Sequence, residues 1–202
     1  MNGRLGILIS GRGSNLQSII DAIHEGRLDA TVAVVISNRS AAAGLQRARD
    51  AGIESICLSP RDHRDRDACD RAIVDALRHR DVGLVCLAGY MRLVRAPLLE
   101  AFANRILNIH PSLLPAFAGL DAQRQALEHG VRIAGATVHL VTSDLDSGPI
   151  VLQAAVPVLD DDTVERLSAR ILVEEHRMYP DAIRIVLSGR WHVQGRRFVV
   201  HS

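Results

Sequence analysis

Along the first half of the chain, short runs of β-branched and apolar residues alternate with longer segments whose apolar positions recur at helical spacing. Leu5 to Ile9 reads as a buried strand, and the polar break Gly11-Arg12-Gly13-Ser14-Asn15 opens a helix from about Leu16 to Glu25. Thr31 to Ser37 is the next strand, followed by an Ala-rich helix over about Ala41 to Ala51. Ser55 to Leu58 reads as a short strand and Asp65 to Arg78 as a helix with an apolar face of Ala68, Ile73, Val74 and Leu77. Val82 to Leu87 is another strand, and a helix is expected near Pro97 to Asn104. This rhythm predicts an α/β protein with a mostly parallel sheet and helices on both faces.

After residue 105 the rhythm changes. Ile106 to His110 is a strand stopped by Pro111, and Ala122 to His129 a short helix closed by Gly130. Two strands follow in immediate succession, within GATVHLVT and IVLQAAVPV, before a long helix from about Thr163 to Leu187. Asp162 is the expected cap of that helix, and Pro180 is expected to kink or interrupt it. The last twelve residues, WHVQGRRFVVHS, differ in composition from what precedes them, which divides the chain into residues 1–190 and an extension, 191–202.

Composition narrows the partners. The 202 residues are 48% hydrophobic, enough for a sizeable core in one domain. Twenty-four basic residues against 23 acidic ones leave a formal net charge of +1, and aromatics make up 3%. That balance offers neither an electrostatic footprint for nucleic acid or an anionic membrane nor a stacking surface for single strands. Cys57, Cys69 and Cys86 form no CxxC pair, as expected of buried small hydrophobes in a reducing compartment. No apolar run approaches a membrane span or a signal-peptide core, so a cytoplasmic location is expected.

Ligands of open α/β sheets sit beyond the carboxyl ends of the strands, and four segments there could carry chemistry. Gly11-Arg12-Gly13-Ser14-Asn15 suits a phosphate at a helix N-terminus. The dinucleotide fingerprint fails, since Leu16 stands where a third glycine belongs, so a simple phosphate monoester or a plain capped turn remains. Asn108 and His110, two apart on a strand, project from one face as an amide and an imidazole suited to an oxyanion, although a strand-end histidine is often structural. In Asp144-Leu145-Asp146-Ser147-Gly148-Pro149, Asp144 reads as a loop acid, whereas Asp146 could orient a histidine or relay a proton. In Ala88 to Leu93, Gly89 permits close approach and Leu87 with Leu93 could border a slot for a flat heterocycle, or the segment simply connects two elements. A metal site of His110, His139 and Asp146 lacks any ligand spacing, and no metal is expected.

In order along the chain, LISGRGSNLQSII, SNRSAAAGLQRARDAGI, LAGYMRLV, LNIHPSLLP, GATVHLVTSDLDSGPIVLQ and EEHRMYP resemble the glycinamide ribonucleotide formyltransferases, folate-dependent enzymes of purine biosynthesis. The Asn-x-His-Pro-Ser-Leu-Leu-Pro run belongs to the wider formyltransferase superfamily, while GxGSN and EEHxxYP point to this branch. The resemblance implies a formyltransferase-type Rossmann-like sheet in one domain, residues 1–190, and a catalytic trio of Asn108, His110 and Asp146. It implies that Gly13, Ser14, Asn15 and Arg66 hold the substrate phosphate and that Glu175 contacts the ribose. Arg92, Leu93 and Val94 would border the folate pocket, reading the pterin edge by their backbone, with Asn108 at its inner end. The implied cosubstrate is 10-formyltetrahydrofolate and the acceptor glycinamide ribonucleotide; oligomeric state is left open, a homodimer included. One stretch departs from the family's Pro-Gly-Leu with two nearby histidines: here it runs Phe117-Ala118-Gly119-Leu120-Asp121-Ala122-Gln123.

The implied reaction is direct attack of the substrate amine on the formyl carbon, with Asn108 and His110 stabilising the oxyanion and Asp146 helping a water move the proton. Rival readings are a formyltetrahydrofolate hydrolase, whose family carries an additional N-terminal domain, and a folate- or phosphate-binding protein without turnover.

Overall fold

Of the expected strands, Arg4–Ile9 (β1), Thr31–Ser37 (β2), Ser55–Cys57 (β3), Leu84–Leu87 (β4) and Ile106–His110 (β5) all form, and all run parallel to their neighbours among these five. The structure is a computed structural model, and it describes residues 1–201. Between these strands lie Ser14–His24 (α1), Ala43–Asp50 (α2), Arg66–Arg78 (α3) and Ala96–Ala101 (α4), with a 3-10 turn at Pro60–Asp62. Then come Ala122–Glu128 (α5), Ile133–Leu140 (β6), Ile150–Pro157 (β7), Val164–Leu187 (α6), Trp191–Gln194 (β8) and Arg197–Val200 (β9). One sheet takes all nine strands in the order β3-β2-β1-β4-β5-β6-β7-β9-β8. β6 is antiparallel to both β5 and β7.

The two faces of the sheet are covered unequally. On one, Leu107 and Ile109 of β5 and Val138 and Leu140 of β6 join Ile171, Tyr179 and Ile183 of α6 in a core that also takes α1 and α2. On the other, Ile73, Leu77 and Leu98 from α3 and α4 pack on Leu8, Val34, Val85 and Ile106, and no buried residue of β6 or β7 joins them. The topology explains this. A parallel crossover lays a helix on the sheet, but β5 returns to antiparallel β6 through a loop and α5, which packs on the first face through Ala126. The second face of β5 and β6 is left without a helical roof, and Asn108, His110, Thr137 and His139 project there, opposite Leu107 and Ile109 in the strand alternation.

Four expectations are corrected. Cys57, expected to be buried, is exposed at the end of β3, while Cys69 and Cys86 are buried. The side chain that caps α6 is Thr163, accepting from Arg166 N at 3.3 Å; Asp162 instead accepts from Leu159 N at 2.8 Å and pairs with Arg170. Pro180 does not interrupt α6, because Tyr179, Pro180 and Ile183 are buried against the sheet and that packing outweighs one lost backbone bond. The segment after Gly189, for which no element was expected, forms the β8–β9 hairpin; Ser202 lies outside the described residues.

Candidate active site

Asn108, His110, His139 and Asp146 converge on the unroofed face. Register places His139 directly opposite Asn108, and Asn108 Nδ2 approaches His139 Nε2 at 3.1 Å and Asp146 Oδ1 at 3.4 Å. The loop between β6 and β7 folds back over this face, so that Asp146 Oδ2 stands 3.3 Å from His110 Nδ1 and accepts the Gly119 N–H at 2.9 Å. Asp146 adopts a positive φ of 46°, sparsely populated for a residue with a side chain, which turns its carboxylate inward. Both partners are largely shielded, with 8% of the His110 side chain and 10% of that of Asp146 exposed.

The hydrogen bonds settle where the protons lie. His139 Nδ1 is 2.9 Å from the Leu140 carbonyl, which can only accept, so Nδ1 carries a hydrogen; Nε2 accepts from the Asn108 amide in the neutral ring and, when protonated, turns an N–H toward Asp146 Oδ1, 3.7 Å away. His110 Nε2 is 2.9 Å from the Phe117 carbonyl and must donate to it. Its Nδ1 lies 3.3 Å from Asp146 Oδ2, an ion pair when the ring is protonated. Burial pushes the Asp146 carboxyl up, but the His139 ring, the Gly119 N–H and the His110 ring together pull it below its ordinary value.

A second cluster lies at the start of α1. Gly13 occupies the cap position at φ 73°, and no side chain caps the helix, so its first N–H groups face outward; Ser14 is the first helical residue rather than the cap. Glycine is required here on two counts, since a Cβ at Gly13 would stand 2.7 Å from Gly44 Cα. Asn15 Nδ2 donates to Glu175 Oε2 at 2.8 Å, which brings the two ends of the chain together in one buried pair. Burial pushes the Glu175 carboxyl up, and Asn15 Oδ1 is buried with no protein partner. Arg66 begins α3 with an exposed side chain that makes no ion pair among the described residues; no contact joins it to Gly13–Asn15.

The loop after β4 is fastened from behind. Ser10 N donates to the Gly89 carbonyl at 3.0 Å, and Ser10 Oγ accepts from Met91 N at 2.8 Å, tying this loop to the glycine loop. The Arg92 guanidinium points into the protein, 3.1 Å from Tyr90 Oη and 3.4 Å from buried Asp70, which also accepts Arg95 N at 3.1 Å. Arg92 is thus left with only its backbone to face a ligand. Around the site Met91, Leu93, Leu120 and Leu145 are 54–76% exposed, an apolar rim on three neighbouring loops.

The divergent stretch is bent by positive φ at Phe117, Gly119 and Asp121, and its Phe117 carbonyl and Gly119 N–H hold His110 and Asp146 respectively. Behind it, Thr137 Oγ1 donates to the Ser112 carbonyl at 2.7 Å and accepts from Leu114 N and Gln153 Nε2. Ser10, Thr137 and Gln153 carry no signal in the sequence, since each acts on backbone groups distant in the chain. His139 could have been found from its position opposite Asn108 once the β5–β6 pairing is known. Among the described residues no group of three or more His, Cys, Asp and Glu is placed to hold a metal ion.

A sequence model described as formyl transferase matches residues 3–183. Over 190 residues the chain is 44% identical to the phosphoribosylglycinamide formyltransferase of Escherichia coli strain K12, covering 94% of this chain and 87% of that one. Over 186 residues it is 46% identical to the trifunctional purine biosynthetic protein adenosine-3 of Bos taurus, covering 92% of this chain but 18% of that protein, so the chain spans less than a fifth of that relative's length. The crystal structure of glycinamide ribonucleotide transformylase 1 from Symbiobacterium toebii superposes with a TM-score of 0.98 at 60% identity, covering 100% of this chain and 95% of the other. With that likeness spanning the unroofed face and all the loops around it, the chain belongs to the formyl transferase family.

Proposed function

We propose that the chain transfers the formyl group of 10-formyltetrahydrofolate to the amine of glycinamide ribonucleotide, in purine biosynthesis, with residues 1–190 as the formyltransferase domain and 191–202 as an extension of it. The observation that carries this reading is the Asn108–His110–Asp146 cluster, at the same carboxyl end of the parallel strands as an uncapped helix N-terminus. The folate supplies the formyl carbon. Asn108 Nδ2 donates to the oxyanion that develops on the formyl oxygen, and His110 Nε2 joins it on leaving the Phe117 carbonyl. Asp146 orients His110 and guides a water that carries hydrogen from the attacking amine to the departing nitrogen.

The residues fit both ligands. Outward N–H groups at Gly13, Ser14 and Asn15, with the exposed Arg66 cation, suit a phosphate monoester. The buried Glu175 carboxyl and the unpartnered Asn15 Oδ1 suit ribose hydroxyls. The apolar rim and the backbone of Arg92, Leu93 and Val94 suit a flat heterocycle. The reading needs small-molecule partners and no nucleic acid, and the charge balance supports that. A cytoplasmic location is supported by three free cysteines; no described helix is long and apolar enough to cross a membrane.

The test is folate product formation from 10-formyltetrahydrofolate, followed by absorbance with and without glycinamide ribonucleotide. Turnover that requires the ribonucleotide and falls at least about a hundredfold in His110→Ala is expected. Equal turnover without the ribonucleotide would make the chain a hydrolase, and undiminished binding without turnover would make it a binding protein.

A further inference from the structure

The C-terminal hairpin is tied at both ends. Its base is fixed to α6: Trp191 Nε1 donates to the Val186 carbonyl at 2.9 Å, and Trp191 stacks on Phe198 with ring centroids 4.7 Å apart, both rings packed on the core. Its two-residue turn, Gly195-Arg196, lies over the loop that carries Asp146. Arg196 Nη2 donates to the Ser147 carbonyl at 3.0 Å and approaches Ser147 Oγ at 3.3 Å, and the single pairing of β9 with β7 joins Arg197 to Ile150 just beyond the loop.

That loop has little else to hold its backbone. From Asp144 to Gly148, among the described residues, the Ser147 carbonyl is the one backbone group bonded by a residue outside the loop. The groups that restrain Asp146 all act on its carboxylate, while its backbone holds a positive φ that an unrestrained aspartate would leave. We infer that Arg196 is a positioning residue for the transfer reaction: the hairpin is a strut that pins Ser147 and thereby keeps Asp146 turned toward His110. The inference rests on the function proposed above only for its activity readout.

The test compares Arg196→Ala and Arg196→Lys with the parent. In Arg196→Ala, kcat is expected to fall about three- to tenfold, the size of one charge-assisted hydrogen bond at a partly exposed site. KM for both substrates should stay within about twofold, because Arg196 touches neither pocket. The acid limb of the kcat profile should move to higher pH as Asp146 loses the contacts that hold its carboxyl down, and Arg196→Lys, which keeps one donor, should restore most of both. Hydrogen exchange gives a second reading, with faster exchange of amides 145–148 in Arg196→Ala whether or not the reaction is the proposed one. Unchanged exchange and kcat, or a rise in KM with an unmoved pH profile, would overturn the strut. A parent without turnover but with the exchange response would overturn the proposed function and leave the strut standing.

Discussion

Asn108 Nδ2 has two acceptors within reach, His139 Nε2 and Asp146 Oδ1, and an amide nitrogen carries two hydrogens, so the group is fully used within the protein. Offering to an oxyanion the hydrogen that His139 Nε2 now accepts exchanges a neutral bond for a stronger, charge-assisted one. Asn108→Ala is therefore expected to lower kcat by about 10²–10³ with little change in KM, measured by steady-state kinetics. Because the carboxyl of Asp146 is held below its ordinary value, it stays ionised through mildly acid pH, and its protonation should not limit kcat/KM above about pH 4. Gly13→Ala combines a left-handed backbone, worth about 1–2 kcal/mol against a side chain, with a Cβ only 2.7 Å from Gly44 Cα. Urea unfolding should show a loss of at least about 2 kcal/mol, together with weaker binding of phosphate-bearing ligands. The strand period put Asn108 and His110 on one face, and the loop sequence marked Asp146 as able to orient a histidine; their meeting was not legible, since nothing in periodicity says that a nine-residue loop folds back over the sheet. Their grouping as a catalytic trio came from the resemblance.

At the scale of elements, α6 joins what the sheet separates. Tyr179 reaches from it between β4 and β5, its hydroxyl 3.0 Å from the Leu87 carbonyl and 3.2 Å from that of Leu107, in a fully buried position. Tyr179→Phe leaves both carbonyls with one donor fewer and should cost about 1–2 kcal/mol in denaturant titrations. Alternating apolar runs and helical periodicity placed every strand from β1 to β7 and every helix to within a few residues, because burial decides both. The C-terminal hairpin escaped because its strands bury little: one face rests on the core through Trp191, Val193 and Phe198 while the other stays in water. The misplaced cap of α6 has a similar cause, as Asp162 and Thr163 are both good caps and only the tertiary partner Arg170 draws Asp162 away.

Across the whole molecule, that Asp162–Arg170 pair fastens the long helix to the end of β7, with 1% of the Asp162 side chain exposed. The Arg170 guanidinium and the Leu159 N–H bring the Asp162 carboxyl from 3.8 down to about 2. A depressed carboxylate contributes stability above its unfolded value and loses it as pH falls through its folded one. Asp162→Asn should therefore lower the melting temperature at pH 7, and the gap to the parent should close between about pH 4 and pH 2.

The bare half of the sheet face has one more consequence. Where other α/β sheets lay a helix on each side, this one stops at two layers beneath Asn108 and His110, and small molecules become the missing third layer. Ligands that complete a protein in this way protect it: at a hundred times its dissociation constant, a ligand bound only by the folded state adds about 2.7 kcal/mol. A thermal shift screen of phosphorylated glycinamides and reduced folates, singly and together, would read that completion directly as heat resistance, and would rank the acceptors without any turnover at all.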